Sequence, residues 1–260
     1  MRTAHRLLLP ETDRSSHDQC AALQSHCNKR RVEDLALRSE LSANAATSTD
    51  VASSRVRENS GLVSSSVRGP LAVGTLIVTE FVSLDGVMEA PGGEPGYAHA
   101  GWVGDFFNDE LGEYKLEEQL GADTLLLGRR TYESFYGAWP MREGPMAEKI
   151  NTMQKTVVSS TLTTWPWANT TVLDGDLYAG VTDLKVDRAA PILVPGSRTL
   201  VQWLLTNGLV DELHLQVFPL ILGSGQRVFP ESPNKAVFEL VDSVAFQGGV
   251  LANTYRPTRV

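Results

Sequence analysis

Leu125-Leu126-Leu127-Gly128-Arg129-Arg130-Thr131-Tyr132-Glu133-Ser134 is an apolar run that empties through one glycine into two arginines and a hydroxyl. Three consecutive leucines followed by a glycine read as a buried strand that turns tightly at its carboxyl end. The helix that follows offers free backbone N–H groups and the positive end of its dipole, and each arginine adds a planar fork of donors. Those groups suit an anionic ligand, with a phosphate-bearing nucleotide as the natural member. Taken alone, the run fits equally well a surface turn whose arginines solvate a helix start, so the rest of the chain has to decide.

From Gly74 onward, short apolar runs alternate with helical patterns, which predicts an α/β sheet covered by helices. The strands fall at Thr75 to Phe81, Thr124 to Leu127, Lys155 to Ser159, Thr170 to Leu173, Ile192 to Val194, Glu212 to Phe218, Phe238 to Phe246 and Val250 to Tyr255. The last two form a hairpin around Gly248-Gly249, which supply the positive φ of a tight turn. Helices are predicted from Phe106 to Gln119, Thr131 to Phe135, Leu177 to Val186 and Thr199 to Thr206, with Asp105 and Ser197 as caps for two of them. Open sheets bind ligands beyond the carboxyl ends of their strands. At three such exits stand Arg129, Arg130 and Thr131; Ser159, Ser160 and Thr161; and Pro195, Gly196, Ser197, Arg198 and Thr199. Hydroxyls, arginines and helix starts recur there, which favours a dinucleotide site.

Gly-Arg-x-Thr-x-Glu-Ser after a buried strand resembles the element with which dihydrofolate reductases hold the phosphates of NADPH. Val82-Ser83-Leu84-Asp85-Gly86, and Leu209-Val210-Asp211-Glu212-Leu213 leading to Pro219-Leu220-Ile221-Leu222-Gly223-Ser224-Gly225, resemble a neighbouring branch, the bacterial proteins related to the C-terminal reductase domain of riboflavin biosynthesis. The resemblance covers about residues 73 to 257. It implies a dihydrofolate-reductase-like, mostly parallel central sheet flanked by helices, with an antiparallel C-terminal hairpin. It also implies a cofactor site at Gly128, with Arg129 or Arg130 holding the 2′-phosphate, Thr131, Gly196, Ser197 and Thr199 at the pyrophosphate, and Ser159 and Ser160 flanking the adenosine. One departure is Pro195-Gly196, where dihydrofolate reductases usually carry two glycines, so one N–H donor is lost.

Charge divides the chain. Residues 1–72 carry 10 of the 23 Lys/Arg and 8 of the 31 Asp/Glu, which leaves 13 basic against 23 acidic residues in 73–260. Such an anionic body disfavours nucleic acid, whose phosphate backbone is bound by clustered positive charge. Residues 1–72 are rich in Ser, Ala and Thr and poor in aromatics. They read as a disordered low-complexity extension, because they cannot bury enough apolar surface to offset the entropy of ordering. A translation start near Val73 would explain them equally well. Arg2 and Arg6 flank only Leu7-Leu8-Leu9 before Pro10, too short for a secretory signal, and no stretch is long and apolar enough to span a membrane. Cys20 and Cys27 both lie in the extension, without the paired spacing of a zinc site. A cysteine-free domain at 73–260 fits a cytoplasmic protein.

The resemblance implies a reductase whose cofactor is NADPH and whose substrate is a small polar heterocycle or imine, a ribosylaminopyrimidine among them. The alternative is a nucleotide-binding homologue without turnover. Candidate substrate contacts are Asp85, Asp109, Glu113 and Gln216. Asp85 reads first as a turn residue bonding its own backbone. Asp109 and Glu113 lie one helical turn apart and belong by default to a solvated acidic face with Asp105, Glu110, Glu117 and Glu118. Gln216 matches a position where the family puts a polar group beside the substrate, and its amide offers both donor and acceptor. Ser83 to Gly104, rich in glycine and proline, reads as a mobile lid, and Gly223-Ser224-Gly225 as a loop closing the site. His214, between two leucines, reads as structural. The apolar hairpin and Trp203 predict a homodimer.

Overall fold

The computed structural model describes residues 74–229, 231–232 and 235–258. The expectations for residues 1–72, including the cysteines, lie outside the described residues. One eight-stranded sheet organises the rest. Its strands are β1 (Leu76–Ser83), β2 (Thr124–Gly128), β3 (Gln154–Val158), β4 (Thr170–Leu173), β5 (Ile192–Val194), β6 (Glu212–Phe218), β7 (Phe238–Ala245) and β8 (Leu251–Pro257), in the order β4-β3-β2-β5-β1-β6-β8-β7. All pairings from β4 through β6 are parallel, and β8 and β7 add on antiparallel. The sheet is mostly parallel with an antiparallel C-terminal hairpin, as the resemblance implied.

The helices are α1 (Asp109–Leu120), α2 (Arg129–Ala138), α3 (Pro145–Thr152), α4 (Leu177–Asp187) and α5 (Arg198–Thr206). β2 has apolar residues without alternation because both of its faces are covered. Leu126 joins a core with Leu76, Val78 and the helix residues Val181, Leu200 and Leu204, whereas Leu125 and Leu127 point to a second core with Tyr132, Ile150 and Trp167. Parallel strands are normally covered in this way on both faces.

The short strand β5 creates the most useful irregularity in the sheet. It pairs with β1 only over Leu76–Val78 and with β2 only over Thr124–Leu125, while β1 runs on to Ser83 and β2 to Gly128. A notch therefore opens past Val194, flanked by the carboxyl halves of β1 and β2. It lies in the sheet region where doubly wound folds bind ligands.

Three expectations need correction. Helix α1 starts at Asp109 rather than Phe106, because Asn108 and not Asp105 caps it, accepting from Leu111 N at 3.0 Å. Helix α2 starts immediately after Gly128, so both arginines sit in its first turn. Helix α3 was not foreseen. Pro145 occupies its first turn behind Gly144 at φ 99°, and Ala147 and Ile150 are its buried residues. In the stretch Ser83 to Gly104, Val87 and Trp102 are buried, the Trp102 indole donates to Glu89 O, and Tyr97 Oη donates to Ser224 O.

Candidate functional site

The β2 and β5 exits are joined by one serine. Gly128 N–H donates to Ser197 Oγ at 2.9 Å, and Ser197 Oγ donates to Thr131 Oγ1 at 2.6 Å. The approach is close enough that a Cβ on Gly128 would lie 2.5 Å from Ser197 Oγ and 2.7 Å from Ser197 Cβ, so the glycine is required by space rather than by φ. Gly196 and Ser197 both have positive φ, 90° and 69°, the second unusual for a residue with a side chain. Ser197 stands at the N-cap position of α5 as predicted, but its hydroxyl serves Gly128 and Thr131 instead of its own helix.

Two helix starts thus meet side by side. Neither α2 nor α5 has a capping side chain or an acidic residue in its first turn, whereas α1 is capped by Asn108 and α4 by Asp176. The first-turn N–H groups and dipole ends of α2 and α5 remain available to an anion. Arg129 and Arg130 are exposed beside them, Arg129 only loosely paired with Glu133 at 3.9 Å. Arg198, the first residue of α5, has a buried Nε without a hydrogen-bond partner among the described residues. The residues present therefore fit a phosphate-bearing cofactor.

Of the predicted cofactor residues, the structure brings Gly128, Thr131, Gly196 and Ser197 together with Arg129 and Arg130 in the same helix turn. Thr199 is exposed in the first turn of α5. Ser159 accepts from Thr161 N and Leu162 N in its own turn after β3, and Ser160 is exposed, so this third exit is not linked to the other two by hydrogen bonds among the described residues.

The four substrate candidates separate. Asp85 accepts from Ser83 Oγ at 2.6 Å, Leu222 N at 3.1 Å and Gly223 N at 2.9 Å, and so staples the loop after β1 to the Leu222–Arg227 loop. The Ser83 hydroxyl, followed by those two amides, holds its carboxyl at about 2. Asp109 and Glu113 are exposed on α1. Gln216 is fully buried, with Oε1 3.4 Å from Lys115 Nζ and Nε2 without a hydrogen-bond partner among the described residues. A shallow cavity of about 350 Å³, lined by Gly74, Thr75, Asp211, Glu212 and Arg256, lies at the amino ends of β1 and β6. It is at the wrong end of the sheet for a ligand site of this fold, and Arg256 there is already paired with Glu212 at 2.7 Å.

Residues 74–252 match the family model of the RibD C-terminal domain. The chain belongs to this family. The Bacillus subtilis protein YyaP is 25% identical over 185 residues, covering 69% of this chain and 93% of YyaP. A putative riboflavin biosynthesis protein from Shewanella sp. PV-4 has the same fold at 23% identity and a TM-score of 0.57, covering 71% of this chain and 99% of its own. A pyrimidine reductase-like protein from Corynebacterium diphtheriae does so at 13% identity and a TM-score of 0.53, covering 72% and 93%.

Within this RibD C-terminal domain the least foreseen feature is a set of buried charges on and around β1. On the α1 face, Lys115 Nζ donates to Thr79 Oγ1 at 2.7 Å and pairs with Glu118, which also holds His214 Nδ1 at 2.7 Å. His214 Nε2 meets Glu212 at 3.0 Å, and Glu212 reaches Arg256 at the surface. Burial alone would raise Glu118, but Lys115 and His214 outweigh it and hold the carboxyl at about 2. Burial likewise opposes protonation of His214, and its bonds to Glu118 and Glu212 prevail and raise it. On the opposite face of β1, Glu80 is 5% exposed and accepts from Gly196 N at 2.8 Å. Burial pushes its carboxyl up to about 8, against the pull of the Gly196 N–H and Lys115. A glutamate in mid-strand, inside a run otherwise suited to burial, was the available sequence signal for this group.

Proposed function

We propose that this RibD C-terminal domain is an NADPH-dependent reductase acting on a small polar heterocycle or imine, ribosylaminopyrimidines included. The observation that carries this reading is the pair of uncapped, acid-free helix starts joined through Gly128, Ser197 and Thr131, with two exposed guanidinium groups beside them. Bound there, the cofactor supplies a hydride, and most of what the protein adds is position and exclusion of water.

Arg129 or Arg130 would hold the 2′-phosphate by charge-assisted hydrogen bonds, with Arg130 the freer because Glu133 stands near Arg129. The first-turn amides of α2 and α5, Thr131, Ser197 and Thr199 would serve the pyrophosphate. Gly196 leaves room there, since its added Cβ would come within 3.3 Å of Thr131 Oγ1. Ser159 and Ser160 would flank the adenosine. Substrate would lie in the notch past Val194, between the carboxyl halves of β1 and β2. The acidic surface and cysteine-free domain suit a cytoplasmic enzyme of small molecules rather than a nucleic-acid binder.

Consumption of NADPH over a panel of dihydrofolate, aminopyrimidines and quinones tests turnover. Oxidation with one class is the expected result. Binding without oxidation of any would instead identify a nucleotide-binding homologue that lacks activity.

A further inference from the structure

The turn that presents Ser197 needs support from both sides. Gly196 accepts its φ of 90° freely, but Ser197 at 69° carries the cost of a left-handed residue with a side chain. Its hydroxyl is fixed on the β2 side by Gly128 and Thr131. On the β1 side the only support among the described residues is the bond from Gly196 N–H to Glu80 Oε1, 2.8 Å long. Glu80 occupies the half of β1 that β5 leaves unpaired, and the register Val78↔Val194 brings it level with Gly196.

Resting on the cofactor reading above, we propose that Glu80 is a positioning residue of the phosphate cradle: it accepts the Gly196 N–H and holds the Gly196–Ser197 turn in the conformation that binds the cofactor's pyrophosphate. A neutral acceptor such as glutamine would make the same bond, so an ionisable group at this place has a further consequence. The charged groups acting on Glu80 are Lys115 and Glu118 of α1, of opposite sign; β6 faces it with Leu215 and the β5 exit with the Gly196 N–H. At neutral pH burial keeps the carboxyl uncharged, so no second anion confronts the phosphates. Above about pH 8 it ionises, and a buried negative charge beside a polyphosphate opposes binding.

The experiment is a fluorescence titration of the full chain with NADPH at pH 7 and pH 9, for wild type, Glu80→Gln and Glu80→Ala. Ionisation centred near pH 8 predicts a wild-type affinity about tenfold lower at pH 9 than at pH 7. Glu80→Gln should bind equally at both values, and Glu80→Ala should bind weakly at both while retaining its circular dichroism. A Glu80→Gln protein with the wild-type pH dependence, or a Glu80→Ala protein with wild-type affinity, overturns the proposal. If no variant binds at any pH, the cofactor reading fails and the turn is read separately, from the Gly196 amide resonance of the free protein. A midpoint near pH 8 in wild type that vanishes in Glu80→Gln upholds the positioning role, and a resonance that does not titrate in wild type refutes it.

Discussion

Gly128→Ala probes the join between the two strand exits most sharply. The backbone at Gly128 has φ −80° and ψ 161°, which alanine adopts without cost, so the whole effect is spatial. The new methyl would stand 2.5 Å from Ser197 Oγ and 2.7 Å from Ser197 Cβ. Ser197 cannot withdraw easily, because it is the N-cap residue of α5, accepts the Gly128 N–H and follows the Gly196 amide held by Glu80. Forcing a methyl into a packed site costs about 1–3 kcal/mol. Displacing Ser197 also weakens its bonds to Gly128 and Thr131, each worth roughly 1 kcal/mol. The expected loss is about 2–5 kcal/mol, measured as a lower urea midpoint at unchanged slope. Replacing Ser197 by glycine in the same chain removes the clash and also relieves the left-handed strain, so the double variant should recover the steric share while cofactor binding stays weak. A single variant within about 0.5 kcal/mol of wild type would refute the packing argument.

Two other outcomes follow from the same structure. Glu118 is held at about 2 against an ordinary 4.5, so it stabilises the fold above pH 4.5 by on the order of 3 kcal/mol, a contribution lost as pH falls toward 2. Glu118→Gln should flatten that acid limb in thermal melts and cost about 3–5 kcal/mol at pH 7, because Lys115 is left buried without its partner; an unchanged acid limb would contradict the assignment. For assembly, we propose a homodimer through the edge strand β7, where Leu240 is 53% and Val241 42% exposed. Sedimentation at micromolar concentration should give a dimer that Leu240→Lys with Val241→Lys converts to monomer, and a wild-type monomer would overturn the proposal.

Apolar runs made much of this architecture legible. β4, β5 and β6 lie at the predicted residues: β5 is a short apolar run, β4 pairs β-branched threonines with Val172 and Leu173, and β6 places Leu213, Leu215 and Val217 at alternate positions, and the glycine pair Gly248-Gly249 marks the hairpin, with φ 96° and 85°. Where polar residues face inward, the same logic fails. The buried residues of α1 are Leu111, Lys115 and Gln119, four apart on one face, yet two of the three look like solvent-facing residues in sequence. Glu118 therefore read as part of a solvated acidic face, although its side chain is only 7% exposed. Reading charge as exposure also hid Glu80. By contrast the join of Gly128, Ser197 and Thr131 needs the sheet order, because β5 is adjacent to β2 only after the chain has crossed over.

The central claim is that two helix starts and a guanidinium receive the phosphates of NADPH, and a fluorescence titration of wild type, Arg129→Ala and Arg130→Ala with NADPH and NADH tests it most directly. The account predicts saturable binding of NADPH and a loss of about 1.5–3 kcal/mol in one arginine variant, Arg130→Ala by preference, with NADH binding barely altered. Absence of NADPH binding by the wild-type protein, or equal affinity for both nucleotides in all three proteins, would contradict it.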